Sequence, residues 1–343
     1  MLRTLISILT MGISLVILLP LMTLVLPAWI FVSLCVTLEK KFISSGTSWE
    51  DIIQFEPVIG WKPKPNLDDV QYFDPSGDSG SISTDENGWP GSNSIIDSDI
   101  VVFGDSFAFG FGSDFKKTYY NLKDSVVIKP IATPAYNMVQ DLLLMKRYAE
   151  KLKGKLVVLF ICMDNDLADN LKYSQSQHYT NPFVRMNNSE KDWEIVTSHV
   201  QRTKWLYGEK KSHNALRFAN LCIPSAYADR VFSACEYLIK EAEKVCEAAG
   251  AEFLVFTIPD KRQLTKSGMN EFKKQLKSDL LLDPDLPDSK IEQICNKLNL
   301  SFIAGKNHLT INDYKIRDSH WNERGNEKVG TLICNFYKSR NMT

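Results

Sequence analysis

The sequence predicts an α/β protein: a parallel sheet covered by helices on both faces, preceded by one membrane-spanning helix. Three observations predict it. Short apolar runs alternate with helix-period segments from residue 99 onward, as βαβ units do. The runs are apolar throughout rather than alternating, as in strands buried on both faces. And residues 4–38 hold 35 positions without one Asp, Glu, Lys or Arg.

That amino-terminal run exceeds the roughly 20 apolar residues a spanning helix needs. A cleaved signal peptide has an apolar region of about 7–15 residues, so the expectation is an uncleaved anchor over 1–41. Pro20 and Pro27 allow a kink in one tilted span or the turn of a re-entrant hairpin, and a single span is favoured. Orientation is contested by Arg3 and the terminal amine on one side and Lys40 and Lys41 on the other. Counting those charges slightly favours keeping the carboxyl-terminal flank inside.

Residues 42–98 are rich in Gly, Ser, Asp, Asn and Pro and read as a lead-in of turns and extended chain, with short edge strands near 71–73 and 80–83. The regular fold is expected over 99–343. Its strands are 100–103, 126–128, 156–162, 252–258 and 300–303. Its helices are 137–152, 231–249 (stopped by Gly250), 269–279, 288–299 and 323–337. Residues 167–230 lack clean periodicity and read as an insertion over one end of the sheet.

Composition excludes several classes. Lys plus Arg total 40 and Asp plus Glu 41, so the basic surface of a nucleic-acid binder is missing. The seven cysteines form no CxxC pair and no zinc spacing with a histidine, so they read as small buried hydrophobes, with room for one bridge. No P-loop, no G-x-G-x-x-G pattern and no His pair at helical spacing occurs, so no metal, nucleotide or flavin site is expected.

In a parallel sheet, ligands sit beyond the carboxyl ends of the strands. Three segments fall there. Gly104-Asp105-Ser106-Phe107 follows the first strand; a serine at such a turn exposes its hydroxyl, and its own N–H lies at a helix start. By itself the segment reads equally well as a helix cap. Met163-Asp164-Asn165-Asp166 follows the third strand, where an Asn amide can donate to an oxyanion, or simply make a turn. Asp318-Ser319-His320 precedes the last helix, and a carboxylate beside an imidazole can fix the tautomer that deprotonates a serine. His178, His199, His213 and His308 have no such company.

Together these segments resemble the blocks of the SGNH (GDSL-like) hydrolase family: Gly104-Asp105-Ser106 the first, Asn165-Asp166 the third, Asp318-Ser319-His320 the last. Phe107 to Gly112 continues the first block as in membrane-bound members, with Ile59-Gly60-Trp61 and Asn87-Gly88-Trp89 similar to their lead-in. The Asp-x-His-Trp form with Asn322 and Gly325 is similar to that of alginate O-acetylation proteins. The resemblance spans about 55–338, apart from 167–230. It implies a flavodoxin-like three-layer α/β/α sheet. It also implies Ser106 as nucleophile, His320 as base and Asp318 as its orienting group. The oxyanion hole would be built from the Ser106 N–H, a backbone N–H of the second block at Ala135, and the Asn165 side chain.

The implied activity is that of a serine esterase or acyl transferase on ester-linked, O-acetyl groups of an envelope glycan, or on a lipid ester, with no cofactor. The domain would then be extracytoplasmic, against the charge count. Two departures matter. Thr133-Pro134-Ala135-Tyr136-Asn137 has Ala where the family has Gly, and Ala adopts positive φ less cheaply. One residue, not two, separates Asp318 from His320, so either the Asp318 carboxylate or a backbone carbonyl could orient the ring. A membrane-tethered carbohydrate-binding or assembly protein with little or no turnover is the alternative that the Ala135 departure leaves open.

Overall fold

The computed structural model describes residues 47–73, 79–122, 125–171, 175–176, 179–187, 192–201, 214–276 and 282–341. The chain divides into two units, 1–48 and 49–343. Of the first, only the short strand Thr47–Ser48 is described. The anchor expected over 4–38 lies outside the described residues, and among those residues no helix is long and apolar enough to cross a membrane.

The second unit is built on five parallel strands: β1 (Ile100–Gly104), β2 (Ile128–Ala132), β3 (Leu156–Cys162), β4 (Glu252–Ile258) and β5 (Ser301–Ala304), ordered β2-β1-β3-β4-β5. Strands β1 and β3 are buried at every position, which is why their sequences are apolar without alternation. The strand order reverses direction between β1 and β3, so the crevice at their carboxyl ends is the natural ligand position.

Strand β2 runs from 128 to 132, not over the expected 126–128. Its sequence includes Lys129 and Pro130, which hide it from an apolar-run reading. Pro is tolerated because β2 is an edge strand. Lys129 is tolerated, though fully buried, because its ammonium donates to the carbonyls of Trp89, Pro90 and Gly91 (3.0–3.3 Å) and pairs with Asp85 at 2.9 Å. The lead-in thereby covers this edge.

Eight α-helices are described: α1 (Ser106–Phe109), α2 (Met138–Tyr148), α3 (Asp166–Asp169), α4 (Asn214–Leu221), α5 (Ala226–Ala249), α6 (Lys266–Leu276), α7 (Leu286–Lys297) and α8 (Glu323–Asn341). Asn137 and Gln140 form a capping box that starts α2. Ser225 caps α5, and Gly250, at φ 68°, ends it. Helix α5 packs against both α2 and α7. With right-handed crossovers these three share one face of the sheet, and α8 takes the other beside the 3-10 turns Phe115–Lys117 and Tyr119–Asn121.

Residues 49–98 belong to the same unit and bury Trp49, Ile59, Trp61, Tyr72 and Trp89. A hairpin of Ile53–Glu56 and Gly60–Pro63 and another of Val70–Phe73 and Ser79–Ile82 organise them. Within 167–230 the described elements are the end of α3, the small hairpins Gln175–Ser176/Tyr179–Thr180 and Phe183–Met186/Trp193–Val196, then α4 and the start of α5. The six described cysteines are free and buried, and Cys35 lies outside the described residues.

Candidate active site

Strand β1 ends at Gly104, where a Cβ would lie 3.0 Å from that of Phe160 and 3.1 Å from that of Ala108. Only glycine lets the chain turn this tightly into α1. Asp105 then caps the helix, its Oδ1 accepting the Phe107 N–H at 2.9 Å, and Ser106 stands at the first helical position. Both readings of this segment therefore apply, but to different residues: the cap is Asp105, and the serine hydroxyl is left for other work.

That hydroxyl lies 2.7 Å from His320 Nε2, and His320 Nδ1 lies 2.7 Å from Asp318 Oδ2. The chain-distant pair is held together as Phe107 and Phe111, which follow the serine in and just after α1, pack on the imidazole with ring centroids 5.0 and 5.3 Å away. Ser106 also has Asp105 Oδ2 at 3.3 Å. One hydroxyl proton serves one acceptor, and 3.3 Å is long for an O–H···O bond, so the imidazole is the partner. A neutral ring donating Nδ1–H to Asp318 presents a lone pair at Nε2. The carboxylate of Asp318, rather than a backbone carbonyl, thus faces the inner nitrogen.

Burial pushes the Asp318 carboxyl up. The hydrogen bond and charge of His320, the Ser319 N–H and the nearby Lys315 ammonium more than offset that, and its pKa lies below the usual carboxylate value. It is therefore an anion across the neutral range.

The three expected oxyanion donors sit after three adjacent strands. The Ser106 N–H is in the first turn of α1, where N–H groups lack intrahelical acceptors. Ala135 follows β2 and adopts φ 65° in spite of its methyl group, exposed to solvent. Asn165 follows β3; its Nδ2 donates to Asp166 Oδ1 at 2.9 Å and lies 3.5 Å from Asp105 Oδ2.

Several residues support the site through contacts the sequence did not reveal, although Asp166, Trp61 and Tyr136 stood within the segments it singled out. Asp166 accepts the Cys162 N–H at 2.7 Å as well as the Asn165 amide, so it fixes the turn after β3. Trp61 donates its indole N–H to the Pro134 carbonyl at 3.0 Å, while the Tyr136 hydroxyl donates to the Trp61 carbonyl at 2.5 Å. The lead-in hairpin therefore clamps the turn that carries Ala135. Lys315 donates to the Gly112 carbonyl and joins the histidine loop to the segment after α1.

Beneath the serine lies a group of buried acids. Asp141 is 1% exposed, and neither of its oxygens has a hydrogen-bond partner among the described residues. Burial, aided by the charge of Asp105, raises its pKa well above the usual value, and burial does the same for Asp166. Asp105 is also raised by burial, against the opposing pull of the Phe107 N–H and the His320 charge. Among the described residues no group of His, Cys, Asp and Glu is placed to hold a metal ion.

Fold and site together define a class: an α/β protein with a Ser–His–Asp relay at the carboxyl ends of a parallel sheet. No family model matches the chain, and neither does any curated protein. Among solved structures, it is similar to a GDSL-like lipase from Bacteroides thetaiotaomicron (11% identity, 70% of this chain and 88% of that one, TM-score 0.38). It is also similar to the psychrotrophic esterase EstA from Pseudoalteromonas sp. (10% identity, 72% and 100%, TM-score 0.38). A third is Est24, a carbohydrate acetylesterase from Sinorhizobium meliloti (9% identity, 71% and 99%, TM-score 0.39).

Proposed function

We propose that this chain is a serine esterase or O-acyl transferase of the SGNH (GDSL-like) kind, acting on O-acetyl esters of an envelope glycan. The observation that carries the reading is the unbroken relay Ser106 Oγ–His320 Nε2–His320 Nδ1–Asp318 Oδ2, with both contacts at 2.7 Å. Such a constellation serves nucleophilic acyl transfer.

In this reading Ser106 Oγ attacks the ester carbonyl carbon while its proton passes to His320 Nε2. The resulting oxyanion is held by the N–H groups of Ser106 and Ala135 and by the Asn165 amide. His320 returns the proton to the departing alkoxide, leaving an acyl group on Ser106. Water or a sugar hydroxyl then attacks that ester with His320 as base, and the serine is regenerated. Water gives hydrolysis and a sugar gives transfer. The acetyl glycan is favoured over a lipid ester by the resemblance of Asp318-Ser319-His320-Trp321 to alginate O-acetylation proteins. Residues 4–38 would tether the domain to the outer face of the membrane.

The test uses the full chain in a mild non-ionic detergent, with p-nitrophenyl acetate as substrate and a fluorophosphonate as covalent probe. The parent should turn over the ester and be labelled on the peptide containing Ser106. Ser106→Ala should abolish labelling and lower turnover by at least about 10³-fold. A parent that is neither active nor labelled would overturn the reading in favour of a glycan-binding or assembly role.

A further inference from the structure

We infer that Lys261 is a positioning residue for the Asp318–His320 pair: its ammonium binds three carbonyls of the loop that carries both. The inference rests on the assignment of Ser106 and His320 above. It starts from what holds that loop in place. Tyr314 and Trp321 are buried and form an isolated antiparallel bridge, and the Lys315 N–H donates to the His320 carbonyl at 2.9 Å. Between these ends, residues 315–320 bury no side chain fully, and Ile316 is 96% exposed. Apolar packing reaches this loop through the His320 ring, against Phe107 and Phe111, so polar contacts must hold the rest of its backbone.

The largest of those contacts is Lys261. Its Nζ lies 2.6 Å from the Lys315 carbonyl, 3.0 Å from that of Ile316 and 2.9 Å from that of Asp318. An ammonium has three donors, and here three oxygens of one loop converge on it. Its root is fixed as well. Lys261 follows β4 at the first position of the 3-10 turn Lys261–Leu264, capped by Asp260, whose carboxylate also pairs with Arg262. The sheet thus projects a cation into the middle of the loop.

The arrangement is compatible with the one-residue spacing between Asp318 and His320. The ammonium holds the carbonyls of 315, 316 and 318 while, from the same short loop, Asp318 Oδ2 meets His320 Nδ1 at 2.7 Å and His320 Nε2 meets Ser106 Oγ at 2.7 Å. A shift of about 1 Å in such a reacting pair costs on the order of 100-fold in rate. Loss of the ammonium should therefore act on the chemical step rather than on substrate binding.

The variants are Lys261→Met, which keeps the stem and removes the charge, and Lys261→Arg, which keeps the charge but spreads its donors over a plane. Both are made in the full chain. With p-nitrophenyl acetate, Lys261→Met should lower kcat by 30-fold or more while KM changes by less than threefold. The acid limb of its kcat/KM profile should move, because the Asp318 carboxylate, held below its usual pKa by its neighbours, is no longer ordered. Its unfolding midpoint should stay within 2 °C of the parent, and Lys261→Arg should recover part of kcat.

A proton NMR spectrum of ¹⁵N-histidine protein supplies a readout independent of turnover. A strongly downfield imidazole N–H should be present in the parent and lost in Lys261→Met and in Asp318→Asn. Parental activity that persists within twofold in Lys261→Met, with an unmoved acid limb and an intact downfield proton, overturns the inference. So does a loss of kcat that merely follows a large fall in unfolding midpoint and is not recovered in Lys261→Arg. An inactive, unlabelled parent sinks the esterase reading instead, and the downfield proton still decides whether Lys261 holds the pair.

Discussion

Ala135 offers a sharp test, because the backbone there is strained in a way that one methyl group controls. Its φ of 65° places a non-glycine residue in the left-handed region, on the turn that supplies a proposed oxyanion donor. That conformation costs an L-residue about 1–2 kcal/mol. Replacing Ala135 by Gly removes this cost, while the greater freedom of glycine in the unfolded chain takes back about 0.4–1 kcal/mol. Because Ala135 is exposed, deleting its methyl opens no cavity. The net expectation for Ala135→Gly is a gain of about 0.5–1 kcal/mol, a rise of about 2 °C in midpoint for a chain of this size. Ala135→Val should change in the opposite direction, since a branched Cβ tolerates this region least. Urea unfolding of the three proteins, followed by tryptophan fluorescence, gives the ranking Gly above Ala above Val. Ester turnover by the Gly variant should stay within about threefold of the parent, because the N–H keeps its direction. A Gly variant less stable than the parent by about 0.5–1 kcal/mol, the ordinary entropic penalty, would refute a left-handed residue at this position.

Asp318→Asn should lower kcat by about 10⁴-fold through loss of the reactive tautomer; a loss under tenfold would mean that a backbone carbonyl orients His320 after all. Asp141→Asn addresses pH. A buried carboxyl with a raised pKa keeps a proton that the unfolded chain releases above pH about 4, so the parent should lose stability as pH rises from there toward the folded pKa. The Asn variant should show a smaller fall in unfolding midpoint between pH 5 and pH 8, and an unchanged slope would exclude a titrating Asp141. Trp61→Phe removes the indole donor to Pro134 and should cost about 0.5–1.5 kcal/mol in stability, together with a several-fold drop in kcat at constant KM. An unchanged kcat would separate the lead-in hairpin from the turn proposed to supply an oxyanion donor.

What could be read from the sequence follows from how local each determinant is. Strands β1, β3 and β4 announced themselves because burial on both faces forces unbroken apolar runs such as Leu156 to Cys162. Strand β2 did not, since Lys129 is neutralised by groups some 40 residues earlier and Pro130 is admitted only by the edge position. The five helices read from the sequence, α2 and α5 to α8, were located to within about five residues, with α5 starting at Ala226 rather than 231 because Ser225 caps it, whereas α1, α3 and α4 were not read. At the site, Ser106, Asp318 and His320 stood out as a combination of strand-end residues, and the structure brings them into contact. The φ of Ala135 could be posed as a question but not answered, because it depends on the clamp from Trp61 and Tyr136. Lys261 gave no signal, since a lysine facing three carbonyls looks like any other lysine in the chain; Asp166 stood in a segment the sequence singled out, but its hold on the Cys162 N–H and the Asn165 amide did not show there.

The contact between Ser106 and His320 spans 214 positions of sequence. During synthesis the first strand, its turn and its hydroxyl emerge long before the ring that would activate them. A ribosome that stalls, or a message cut short, anywhere ahead of codon 320 releases a polypeptide bearing the proposed nucleophile without its proposed proton acceptor. If Ser106 and His320 act as proposed, reactivity toward esters would await synthesis of residue 320.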